Sequence, residues 1–126
     1  MKRFVVVACV AGLVTSMVAF EGTALAGRVR THLTLQIADD SVGVNQTIVL
    51  TGDLHSNRRA CYASKSVKLF IDGGLYGSTV TNENGGYRFE VSGPHPRGEH
   101  MFQTKRKKTR RCRGSSSNVV RAQVGG

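Results

Sequence analysis

The chain has 126 residues, with 18 Lys and Arg against 8 Asp and Glu and a formal net charge of +10. That length holds one small domain and little else. So few acids leave a poor basis for paired-carboxylate catalysis or a calcium loop, while the one-sided charge draws the chain toward polyanions without choosing among them.

The first 26 residues have the layout of a secretory signal. Lys2 and Arg3 form a positive start, Phe4 to Ala19 is an apolar run, and Ala24-Leu25-Ala26 is a small-x-small cleavage pattern. The run is shorter than the roughly 20 residues of a membrane span, and no other stretch comes near that length. The expectation is an exported chain, secreted or held in the cell envelope, with no membrane span and a mature domain over 27–126. Val6-Val7-Ala8-Cys9 resembles a lipoprotein cleavage box, but only Phe4 and Val5 precede it as apolar length, which argues against lipidation of Cys9. Cleavage removes Lys2, Arg3 and Glu21, leaving 16 basic residues against 7 acidic ones, or +9.

Leu33, Leu35 and Ile37 alternate with polar neighbours over 31–37, the pattern of a strand with one buried face. After the turn at Asp39-Asp40-Ser41, Ile48 and Leu50 carry a second strand, with Leu54 its furthest candidate and Gly52 a bulge or close-approach position. A polar loop over 56–64 holds Cys61. Val67, Leu69 and Ile71 alternate in the third strand, and Asp72-Gly73-Gly74 supplies turn residues that tolerate positive φ. Leu75 to Thr81 leads into Asn82-Glu83-Asn84-Gly85-Gly86, the clearest hairpin signal, and Tyr87, Phe89 and Val91 form the next buried face. Pro94 and Pro96 keep 93–98 out of any strand. In the next strand either His100, Phe102 and Thr104 or Met101 and Gln103 face inward. The charge run 105–113 and a serine loop at 115–117 precede a last strand carrying Val120, Ala122 and Val124. Seven short strands in so few residues, with no helical periodicity, predict an all-β, seven-stranded antiparallel sandwich of one domain.

Two cysteines, Cys61 and Cys112, remain after cleavage. An even pair in an exported chain reads as a disulfide; a metal would find no CxxC and no nearby histidine pair to hold it. Closing so long a loop would stabilise a small core by roughly 4 kcal/mol in the chain-entropy model.

Ser41-Val42-Gly43-Val44-Asn45-Gln46-Thr47-Ile48-Val49-Leu50-Thr51-Gly52 resembles the opening of bacterial immunoglobulin-like domains. Val67-Lys68-Leu69-Phe70-Ile71-Asp72, then Gly77 to Thr81, then Asn82 to Phe89, is similar to the core shared by those domains and the carboxypeptidase-regulatory-like, transthyretin-like sandwiches. The placement of Cys61 and Cys112 resembles that of small exported sandwich domains with one bridge. The resemblance covers residues 31–124 and implies an immunoglobulin-like Greek-key fold. It also gathers the two cysteine-bearing loops at one end, since such folds cluster their loops at the ends of the sandwich. It is weak for function, because such modules serve as stalks, spacers and accessory domains alike.

Lys105, Arg106, Lys107, Lys108, Arg110, Arg111 and Arg113 place seven cations in nine residues. In a protruding hairpin both faces are wet and all seven are free, with Arg58, Arg59 and Lys65 beside them. Such a cluster binds phosphate- or sulfate-rich polymers by counterion release. Teichoic acid, lipopolysaccharide, acidic polysaccharide and extracellular nucleic acid are the partners available outside a cell. Tyr62 is the one aromatic that the sequence places near the cations, too little for base-specific reading. His32, His55, His95 and His100 show no metal-ligand spacing, and no nucleophile elbow, Cys and His pair or phosphate-cradling loop is present. No catalytic residue, metal or cofactor is expected. The sequence reads as a non-enzymatic binding module for an anionic polymer; the alternative is a structural or adhesion protein that contacts other proteins, its charge incidental.

Overall fold

A computed structural model describes residues 27–125, so the expected signal peptide over 1–26, with Cys9, lies outside the described residues. The described chain forms ten strand segments and one 3-10 turn, Arg59–Cys61. The strands are β1 (Thr31–Leu33), β2 (Gln36–Ile37), β3 (Ser41–Val42), β4 (Ile48–Ser56), β5 (Ser66–Ile71), β6 (Gly74–Val80), β7 (Gly86–Val91), β8 (Gly98–Arg106), β9 (Ser115–Ser116) and β10 (Val120–Val124).

They build two sheets. The larger runs β3-β10-β8-β5-β6, with β9 also on β8; β3 lies parallel to β10 and the other pairings are antiparallel. In the smaller, β4 is central, with β7 along one side and β1 then β2 along the other. Period-two patterning decides which faces meet. Val67 and Leu69 of β5, Tyr87, Phe89 and Val91 of β7, and Ala122 and Val124 of β10 all point inward and are buried. For β8 the inward set is Phe102 and Thr104, with Met101 and Gln103 outward.

Seven strands were expected, and the three extra segments have physical causes. The first strand breaks at Thr34-Leu35 because β4 comes too close there. A Cβ on Gly52 would sit 2.0 Å from the Thr34 carbonyl oxygen, the close approach that a glycine permits. Leu35 stays buried, yet its backbone bonds to a side chain instead of a strand: Leu35 N donates to Asn118 Oδ1 (3.0 Å) and Asn118 Nδ2 donates to Leu35 O (2.9 Å). The other two segments are short pairings made by stretches read as turn and loop. Ser41–Val42 docks on β10, and Ser115–Ser116 docks on β8.

The turns follow their residues. Asp72 and Gly73 carry φ of 51° and 86°, and Gly85 carries 89°. Asn82 Oδ1 accepts from the N–H groups of Asn84 and Gly86, closing the β6–β7 connection.

Candidate functional site

The site is built where the chain crosses between sheets at one end of the sandwich. Cys61, at the end of the 3-10 turn, is bonded to Cys112 in the β8–β9 connection, their Cα atoms 5.6 Å apart. Both cysteines are buried. Val29 forms a parallel bridge with Cys112: Val29 N donates to Arg111 O (2.7 Å) and Arg113 N donates to Val29 O (2.8 Å). Thr31 Oγ1 continues this seam with contacts to Arg113 O and Ser115 Oγ. The charge run is therefore a pinned hairpin, stitched to the segment from Val29 to Thr31 and to the 57–65 loop.

This end collects Arg58, Arg59, Lys65, Lys105, Arg106, Lys107, Lys108, Arg110, Arg111 and Arg113, the ten cations expected to lie together. Three more join them. Lys68 on β5 stands in register with Lys105 on β8, and Arg28 and Arg30 flank Val29. The expectation of seven free cations needs correction at Arg106. Its side chain is half-buried: Nη1 donates to Ser66 O (3.2 Å), and Nε is buried without a hydrogen-bond partner among the described residues. Burial pulls its pKa below the ordinary arginine value. Arg59 is also engaged, donating to Glu83 at 2.9 Å.

The acids are placed elsewhere. Asp39, Asp40, Asp72, Glu90 and Glu99 lie toward the opposite end, leaving Asp53 and Glu83 on the disulfide half. Thirteen of the sixteen cations therefore share one half with two acids, and the sandwich is a strong electrical dipole. Of those thirteen, Arg59 alone has a carboxylate within salt-bridge distance among the described residues. Of the other three, Arg88 pairs with Glu90 and Arg121 with Glu99, while Arg97 donates to Gly125 O.

An aromatic that the sequence reading missed sits inside the cluster. Phe70 lies on the outer face of β5 with Lys105 Nζ 5.0 Å from its ring centroid, a cation–π contact. An open groove of about 690 Å³ runs beside it, lined by Lys68, Phe70, Lys105 to Lys108 and Gly114 to Ser116. Alternation along Val67 to Ile71 puts Phe70 on the wet face next to Lys68, and that was the available signal.

The histidines are separate. His32 and His55 face each other across β1 and β4 with ring centroids 6.3 Å apart, and His100 sits at the opposite end against Asp72. Among the described residues, no three His, Cys, Asp or Glu side chains converge as a metal site requires.

No family model and no curated protein matches the sequence. Two solved structures of the CARDB domain of the PF1109 protein from Pyrococcus furiosus resemble the fold. A crystal structure of that domain in complex with di-metal ions superimposes with a TM-score of 0.56 at 14% identity, covering 78% of this chain and 94% of that one. The solution structure of the same domain gives 0.54 at 16%, covering 77% and 95%. This chain has the immunoglobulin-like β-sandwich fold. At such identities the likeness carries the fold and nothing of the site.

Proposed function

We propose that this is a secreted, non-enzymatic binding module that docks on an anionic cell-envelope or extracellular polymer through the disulfide end of its sandwich. In this reading residues 1–26 are its cleaved signal peptide. The mature domain is then an exported, single-disulfide relative of the carboxypeptidase-regulatory-like sandwiches, seven-stranded and Greek-key in its parent plan.

The observation that carries the reading is the segregation of charge. Thirteen cations gather at one end with one carboxylate paired to them, whereas the arginines elsewhere are engaged locally. A charge that served only solubility would have no reason to be one-sided. Counterion release from a polymer engaging several of these groups favours binding, and dispersed polymer charge matches a dispersed cluster better than one small ligand would.

The test is retention of the oxidised protein on heparin, purified cell wall and a neutral polysaccharide across a salt gradient. A variant carrying Lys107→Ser, Lys108→Ser, Arg110→Ser and Arg111→Ser runs beside it, leaving half-buried Arg106 in place. The parent should bind both anionic supports, losing roughly tenfold or more in affinity over a modest rise in salt, and the variant should elute early. Equal elution of variant and parent, or passage straight through at physiological salt, would overturn the reading.

A further inference from the structure

We infer that the outer face of the larger sheet is a docking surface for an anionic phospholipid bilayer, an inference that rests on the polyanion reading of the cations beside it. Among the described residues, the large exposed apolar side chains are concentrated on this face. Leu75, Val80, Met101 and Val119 are 62%, 61%, 42% and 47% exposed. The pairing Phe70↔Leu75 and Ser66↔Val80 sets Leu75 and Val80 on the outward side of β6. Met101 alternates with buried Phe102 on β8, and Val119 lines one hollow with Phe70, Met101 and Lys105. Tyr76, the remaining large exposed hydrophobic among the described residues, sits at the β5–β6 irregularity near Ile71, Pro94 and His100.

The cations enter the same surface from one side. Lys68 and Lys105 project from β5 and β8 between the apolar residues, and Lys107 and Lys108 line the groove that shares Phe70 and Lys105 with the Val119 hollow. An occupant must therefore be negatively charged and apolar within a few ångströms, over an area four strands wide, about 15 Å across. A soluble polyanion satisfies the lysines and leaves Leu75, Met101 and Val119 in water. A bilayer of acidic phospholipid satisfies both. Each lysine near such a surface is drawn to the acidic headgroups, its apolar stem lying along the sheet while its ammonium reaches them, and apolar side chains enter the boundary below. The acids Asp72 and Glu99 lie at the far end of this face, so they meet the lipid last.

Co-sedimentation with vesicles tests this. The oxidised protein is mixed with vesicles of phosphatidylcholine alone or of phosphatidylcholine with phosphatidylglycerol, beside a Met101→Ser, Val119→Ser variant, and each protein is also eluted from heparin by salt. The parent should pellet with the acidic vesicles alone. The variant should bind them about tenfold more weakly while leaving heparin at the parent's salt concentration, and an unchanged thermal midpoint shows that it is folded. Variant and parent pelleting alike would make the contact purely electrostatic and overturn the bilayer assignment. A parent that binds heparin but no vesicle overturns it too, and leaves the polymer reading standing. A parent that binds neither overturns both. If the double variant loses heparin as well, Leu75→Ser, on the opposite margin of the face, decides between the same outcomes.

Discussion

His100 bridges two loops with both nitrogens of its ring: Nδ1 is 2.6 Å from Asp72 Oδ2, and Nε2 is 2.6 Å from the carbonyl oxygen of Pro96. A carbonyl only accepts, so Nε2 carries a proton, and a carboxylate on the other side favours a proton on Nδ1. The bond to Asp72 first, and the Pro96 carbonyl second, raise the His100 pKa above its ordinary value; the His100 bond and then the Met101 N–H lower that of Asp72. Both shifts favour the charged pair, which ties the β5–β6 turn to the proline loop ahead of β8.

A raised histidine pKa contributes stability that is complete below the unfolded value of 6.5 and is lost as pH climbs through the folded value. A lowered aspartate pKa contributes stability above 3.8 that is lost as pH falls through its folded value. The pair is thus strongest between these two ordinary values. Urea midpoints at about pH 5.5 and about pH 8.5 should fall more for the parent than for a His100→Phe variant, where this linkage is gone. Parallel changes in the two proteins would dismiss it.

Tyr87 links the sheets through its hydroxyl. It donates to Thr34 O at the break in the first strand and lies 2.8 Å from Thr104 Oγ1 in the core. Tyr87→Phe keeps the ring and strands both partners, a cost of about 1–3 kcal/mol by chemical denaturation. Burial raises the phenol pKa to about 12 from 10.0. Its stabilisation is therefore complete below 10.0 and is lost as pH rises through about 12, so the parent should lose stability in strong alkali more steeply than the phenylalanine variant.

Much of this fold is legible in the sequence because alternation is a strong signal where one face is dry. Val67 and Leu69, Tyr87, Phe89 and Val91, and Ala122 and Val124 all lie where their period puts them. The hairpin at Asn82 to Gly86 is legible for a similar reason: at Gly85 a Cβ would stand 2.3 Å from Leu54 O, so glycine is required there. In β8 each alternate set mixes apolar and polar residues. Thr104 points inward because Tyr87 Oη, distant in the chain, gives its hydroxyl a buried partner, while its backbone N–H donates to Ser117 Oγ. The cation run is obvious locally, but Arg28, Arg30 and Lys68 join it only through the Val29↔Cys112 and Lys68↔Lys105 pairings, which no local pattern specifies. Arg106 reads as one more free cation until Ser66 O is seen to accept from it.

The Cys61–Cys112 bond holds the hairpin to the 3-10 turn across a separation of 51 residues. Replacing both cysteines with alanine should destabilise the domain by about 2–4 kcal/mol, read as a lower denaturant midpoint. The strand pairings of β5, β8 and β10 lie beyond the bond, so folding should survive below the new midpoint. Amide exchange should rise first in 107–114 and 57–65, the segments that the bond joins. Protection lost uniformly over the sandwich would show that the bond supports the whole fold instead of its basic end.

Glu83 is one of two carboxylates on the basic half, and it pairs with Arg59 where both side chains are largely exposed, 80% and 61%. An exposed pair of this kind contributes at most about 1 kcal/mol, so Glu83→Gln should leave the thermal midpoint nearly unchanged. Its effect on binding should be larger than its effect on stability. The substitution frees the Arg59 guanidinium and removes a negative charge that an anionic polymer must approach. Heparin elution should move to higher salt, corresponding to a gain of about twofold to fivefold in affinity at a fixed concentration. Arg59→Gln should move it the other way, and the double variant should fall between parent and Arg59→Gln. Elution unchanged in all three would place Arg59 and Glu83 outside the polymer's path and confine the contact to the hairpin between β8 and β9.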